Sequence, residues 1–118
     1  MAAHGGVMIV MSNPTDGNEV AFNEWYETVH VPEVLAVPGV ASARRFAIAP
    51  LDLPEVEGIE PPAPPSHRYL VIYELDRPGN EVMAELGTRL VSGAMSLHEA
   101  LDMSTVSLSA WDPLSAST

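Results

Sequence analysis

The chain has 118 residues, one domain's worth of sequence, and 47% of them are apolar, too many for a disordered segment. It carries 16 acidic and 5 basic residues, a formal charge of −11, with no lysine and no cysteine. Those absences exclude disulfide frameworks, thiolate metal sites, cysteine nucleophiles and lysine Schiff bases, and scattered arginines do not build a surface for nucleic acid.

The acidity reads as a solvated surface. No apolar run approaches the roughly 20 residues of a membrane span, so no membrane partner is expected. Met1 to Val10 lacks the basic and long apolar regions of a signal peptide, and the expected location is cytoplasmic.

In chain order, Val7 to Met11 is an apolar run between Gly5-Gly6 and Ser12-Asn13-Pro14, which predicts a buried strand. Asn13 to Gly17 carries turn residues, and Asn18 is placed to cap a helix. From Glu19 the spacing is helical. Phe22, Tyr26, Val29 and Glu33 follow one stripe, Trp25, Val29 and Pro32 run beside it, and His30 follows Tyr26 by one turn. Pro32 has no N–H to donate and clashes one turn back, so a kink or restart is expected near Val31. Val37-Pro38-Gly39 then stops the helix.

Val40 to Ala49 predicts a second strand. Residues 50–66 hold six of the eleven prolines and several acids. They read as a long extended loop inside one domain spanning 1–118, because neither flank is long enough to fold alone. His67 to Leu75 predicts a third strand, with Tyr69, Val71 and Tyr73 on one face and Leu70 and Ile72 on the other. Both faces are apolar, so both are expected to be covered. Arg77 to Asn80 reads as a turn with Asn80 as a cap. Glu81 to about Ser92 reads as a second helix ended by Gly93, and Ser96 to Ala100 as one more helical turn. Thr105 to Trp111 predicts the fourth strand.

The order β-α-β-β-α-β is that of a ferredoxin-like α+β arrangement, a four-stranded antiparallel sheet with two main helices on one face. A second copy of the chain is the simplest cover for the other face, so a homodimer is expected.

Three stretches carry a family likeness: Asn13-Pro14-Thr15-Asp16-Gly17-Asn18-Glu19, then Phe22-Asn23-Glu24-Trp25-Tyr26-Glu27-Thr28-Val29-His30-Val31-Pro32-Glu33, then Pro38-Gly39-Val40 with Arg44-Arg45-Phe46. They resemble the dimeric α/β-barrel superfamily, close to its EthD-like members. The likeness is strongest over residues 8–48, and the remainder matches in element order. The resemblance implies a ferredoxin-like monomer whose sheet pairs face to face with a twin, and a ligand pocket between helices and sheet. It also implies a small range of activities: isomerases, polyketide cyclases, cofactor-free monooxygenases, haem-degrading enzymes and stress-response proteins. The proline-rich insertion departs from the pattern, and lid and dimer arm are its two readings.

His30 and Tyr26 are the candidate catalytic pair. A histidine takes and gives protons near neutral pH, and a tyrosine donates to a developing oxyanion. The competing reading is that His30 caps a helix broken at Pro32 and Tyr26 is core. Phe22 and Trp25 line an apolar pocket or pack the core. Tyr69 and Tyr73 line the pocket or the dimer interface. One of Arg44 and Arg45 must point to a covered side, and Arg45 is carried as a substrate-binding candidate; the plainer reading is an ion pair with Glu33 or Glu74. His98 is a further pocket candidate, whereas His67 is isolated and His4 lies near the N-terminus.

No paired-histidine metal spacing, glycine-rich nucleotide loop or serine elbow occurs, so neither metal nor cofactor is expected; nothing demands haem on His30 or His98. The resulting expectation is a small cofactor-independent isomerase, cyclase or lyase acting on a hydrophobic carbonyl or phenolic metabolite. The alternatives are a cofactor-free monooxygenase and a non-catalytic dimer that binds a small molecule or a partner protein, or serves in a stress response.

Overall fold

The computed structural model describes residues 5–114. The elements are β1 (Val7–Pro14), α1 (Glu19–Trp25), a π-helical turn (Tyr26–His30), α2 (Val31–Leu35), β2 (Val40–Ala47), β3 (Tyr69–Leu75), α3 (Gly79–Ser92) and β4 (Leu101–Trp111). The sheet order is β2-β3-β1-β4 with every pairing antiparallel, which is the ferredoxin-like topology.

Register decides what faces what. Met8, Val10 and Ser12 of β1 lie opposite Tyr73, Val71 and Tyr69 of β3. This face receives the helices: Phe22 meets Tyr69, and Val82 and Leu86 of α3 are buried with it. Phe22, Tyr26, Val71, Tyr73 and Val82 are almost fully enclosed, and each large apolar side chain so buried contributes roughly 1.5–3 kcal/mol. The opposite face carries Ile9, Met11, Leu70, Ile72, Phe46 and Trp111, and among the described residues no helix covers it. The sequence reading expected cover on both faces; within one copy only the tyrosine-bearing face has it.

The helix from 19 to 35 runs through Pro32 without stopping. In place of a kink there is a π turn, in which the Val31 N–H reaches back to the Tyr26 carbonyl. The wider turn takes up an extra residue before the proline that cannot donate, and regular α-helix restarts at Val31, where the sequence places the break.

Several expected boundaries move. β1 extends to Pro14 and β4 begins at Leu101, because the two keep pairing across a shift between Met11 and Asn13. Ser96 to Ala100 forms no helical turn; residues 96–98 are irregular and a tight turn at Glu99 and Ala100 leads into β4. Neither asparagine caps by its side chain. Asn18 donates instead to the Thr15 hydroxyl at 2.8 Å, and α3 starts at Gly79 with Pro78 before it, so Asn80 lies inside the helix. Gly93 ends α3 with φ +84°, a backbone state that favours glycine. Residues 48–66 form an exposed arm in which Val56 bridges Ile59 around Gly58; its two ends are tied where the Ile48 N–H donates to the Arg68 carbonyl and the Asn13 side chain donates to the Ser66 carbonyl.

Candidate functional site

The π turn brings two aromatic side chains under the sheet. The rings of Tyr26 and His30 meet edge-on with centroids 5.2 Å apart, and the other face of the cluster is closed by Trp25, stacked on His30 at 4.5 Å. The Tyr26 hydroxyl shares a 3.3 Å hydrogen bond with the Ser12 hydroxyl of β1.

Arg45 is the arginine that turns inward. Its guanidinium stands 4.8 Å over the Tyr26 ring, donates to the Asn23 side-chain oxygen at 2.7 Å and pairs with Glu27 at 3.4 Å. The partner expected from the sequence was Glu33 or Glu74. Glu74 instead accepts from the Ser42 hydroxyl, and one Glu33 carboxylate oxygen is buried with no partner. Asn23 and Glu27, one turn apart on the helix, are the residues that reach Arg45.

Between the helices and the sheet lies a cleft of about 160 Å³. Tyr26, His30 and Tyr73 are its polar wall. The rest is Met8, Val10, Val34, Met83, Leu86, Leu90, Met95, Leu97, Leu101, Met103, Val106 and Leu108. Three of the residues singled out from the sequence therefore line one space. Phe22, Trp25, Arg45 and Tyr69 form the packed layer beside it. The Tyr69 hydroxyl is held by Glu19 and Asn23, so this side chain belongs to the helix side and not to the open face. His98 stands outside the cleft: it is exposed, lies 5.9 Å from Trp25, and its Nδ1 accepts the Ala100 N–H at 2.9 Å. His67 bonds the Thr105 carbonyl oxygen at 2.7 Å, and His4 lies outside the described residues.

Sequence reasoning did not single out the methionines as a wall of the site. Met8, Met83, Met95 and Met103 come from β1, α3, the following loop and β4, and all reach the cleft. Their shared signal is a flexible, polarizable side chain at inward positions of four separate elements, a composition that adapts to varied apolar ligands.

Burial sets the protonation states. Desolvation lowers the His30 pKa from 6.5 to about 4, so its imidazole is a free base at neutral pH. Its Nδ1 is enclosed with no partner, which leaves Nε2 as the reachable nitrogen. Desolvation raises the Tyr26 pKa, opposed by the Ser12 hydrogen bond and by Arg45. It raises Tyr73 further, with nearby Tyr26 adding to the rise and Arg45 opposing it, and the Tyr73 hydroxyl has no hydrogen-bond partner. The cleft thus offers one proton acceptor and two un-ionised phenols in an apolar wall. Among the described residues no three His, Cys, Asp or Glu side chains gather as a metal site, and no helix is long and apolar enough to cross a membrane.

A structure of an EthD family protein from Bacillus halodurans C-125, solved at 1.40 Å, superposes with a TM-score of 0.58 at 15% identity. The match covers 93% of this chain and 99% of that one. The chain has the EthD-like fold. The likeness anticipated from residues 8–48 holds in the architecture, and at that identity it speaks for the fold alone. No family model matches the chain, and no curated protein matches it in sequence.

Proposed function

We propose that the cleft binds a small hydrophobic carbonyl or phenolic molecule and that His30 moves a proton on it, in a cofactor-independent isomerase, cyclase or lyase. The observation that carries this reading is a histidine held as a free base, with one reachable nitrogen, beside two un-ionised tyrosines in an otherwise apolar wall.

In this reading Nε2 takes a proton from the carbon next to the carbonyl. The electron pair moves onto the carbonyl oxygen, and Tyr26 or Tyr73 donates to the oxyanion that forms. The imidazolium returns the proton to a second carbon, which completes an isomerisation without any other reactant. A low resting pKa keeps the base unprotonated. Its basicity rises once an anion stands beside it in the low-dielectric cleft, because the ion pair favours the charged imidazole. Phe22 and Trp25 would stiffen the wall from behind, and Arg45 and Tyr69 would hold Tyr26 in place.

A binding-only role draws on one feature: among the described residues no carboxylate or carbonyl holds the His30 Nδ1, whereas most catalytic histidines are oriented through their second nitrogen. Proton exchange separates the two readings. Hydrophobic aryl ketones in D2O are followed by NMR for loss of the α-hydrogen. The wild type is expected to speed exchange, and His30→Gln to slow it by about 100-fold or more, the usual size of acid–base catalysis. Exchange at the wild-type rate in His30→Gln, with ketone still bound, refutes the mechanism.

The uncovered sheet face supports a homodimer as part of the same proposal. A second copy placing its own Ile9, Met11, Leu70 and Ile72 there would bury both apolar faces at once.

A further inference from the structure

The connection from β2 to β3 is unusually long. Hairpin strands are ordinarily joined by about two to five residues, yet here the chain leaves β2 at Ala47 and rejoins β3 at Tyr69. Every residue from 46 to 66 is exposed. Five of them are large aliphatics: Leu51 at 81% exposure, Ile59 at 66%, Leu53 and Val56 at 49% each, and Ile48 at 47%. A solvated linker has little use for such side chains. Six prolines restrict the arm's backbone, so docking it costs less chain entropy than docking a flexible segment.

We propose that segment 48–66 is a clasp that docks on a second copy of this chain, in the groove beside that copy's own arm. The groove is about 100 Å³, and Met11, Phe46, Ile48, Pro65 and Leu70 form its apolar lining. Met11, Phe46 and Leu70 also belong to the uncovered sheet face, so groove and face make one continuous surface.

Two observations select a second copy as the occupant. The first is charge. The arm carries Asp52, Glu55, Glu57 and Glu60 and no base, while Arg44 lies on the receiving face over Phe46 and has no ion pair among the described residues. Position argues against a lid on the chain's own cleft. The arm springs from the β2–β3 side of the sheet, whereas the half-exposed rim residues Leu97 and Met103 lie with α3 and β4 at the other edge. A two-fold axis would let both copies exchange arms at once.

This inference rests on the homodimer part of the proposed function. Because the chain has no native cysteine, it can be tested by cross-linking. Chains carrying Ile59→Cys and chains carrying Phe46→Cys are mixed, allowed to exchange subunits and oxidised, and a mixed disulfide between the two is expected. In parallel, Leu51→Glu with Ile59→Glu, both exposed and harmless to the monomer fold, should weaken the dimer at least tenfold by sedimentation equilibrium with an unchanged circular dichroism spectrum. A wild-type chain that stays monomeric at micromolar concentration overturns both the homodimer and the clasp. A wild-type dimer with no mixed cross-link, or with an unchanged dissociation constant in the double variant, overturns the clasp alone. The ketone exchange assay reads the cleft and is blind to either result.

Discussion

Acidification should expose the cost of keeping His30 neutral. In the folded chain burial lowers its pKa to about 4, while in the unfolded chain it titrates near 6.5. As the pH falls through that window the unfolded state takes up a proton that the native state refuses, so stability drops. The whole window is worth about 3 kcal/mol, and the fall between pH 7 and pH 5 about 2 kcal/mol. Below the folded pKa both states are protonated and this contribution stops changing. The chain also carries sixteen acidic residues, so the signal is the difference between the wild type and a variant that cannot titrate at this site. Urea unfolding of the wild type and of His30→Gln at pH 7 and pH 5 isolates it. With a urea slope of about 2 kcal/mol/M, the wild-type midpoint should fall by about 1 M more than that of the variant. Parallel shifts in the two proteins would show that His30 is not desolvated as the structure has it, and the free-base argument for the cleft would go with it.

Removing the unpartnered hydroxyl by Tyr73→Phe should leave stability unchanged or raise it by about 1 kcal/mol in thermal melts, since a buried donor without an acceptor is a cost and not a bond. Phe22→Ala should cost about 3–5 kcal/mol by denaturant titration, because the ring is fully enclosed and touches Tyr26 and Tyr69 at 4.9 and 5.1 Å. Arg45→Met keeps most of the packing but gives up the bonds to Asn23 and Glu27, for a loss of about 1–3 kcal/mol. It should also move Tyr26 ionisation to still higher pH in an ultraviolet phenolate titration, because Arg45 is one of the groups that oppose the rise.

Much of the architecture was legible because its punctuation is local. Gly5-Gly6, Asn13 to Gly17, Pro38-Gly39 and Gly93 mark ends that the fold respects to within a few residues. The start of β4 was not, because Asp102-Met103-Ser104 breaks the alternation and what keeps it in the sheet is pairing with Asn13 and Pro14, far away in sequence. Within the site, Tyr26 and His30 stood out by spacing, and the inward direction of Tyr73 followed once register was known. The choice of Asn23 and Glu27 as holders of Arg45 depends on how the helix is rolled over β2, which no periodicity reports. The methionine wall was invisible for a related reason: an inward methionine looks like core until the element opposite it stands back and leaves a cleft.

The π turn joins these two levels. Tyr26 and His30 were expected on one face by α-helical counting, and Pro32 was expected to spoil that counting. Both are true, and the wider turn reconciles them. Its hydrogen bond runs from Val31 to Tyr26, so the widened segment spans the two candidate residues themselves and leaves Pro32 inside the first turn of the α-helix that follows, where a missing N–H costs nothing. A regular helix through this stretch would require the Pro32 nitrogen to donate to the Thr28 carbonyl, which it cannot do; the Thr28 hydroxyl separately donates to the Glu24 carbonyl at 2.7 Å. The proline therefore does not place His30 at a frayed end. It is accommodated by a π turn in which the histidine ring lies edge-on to Tyr26 and stacked on Trp25.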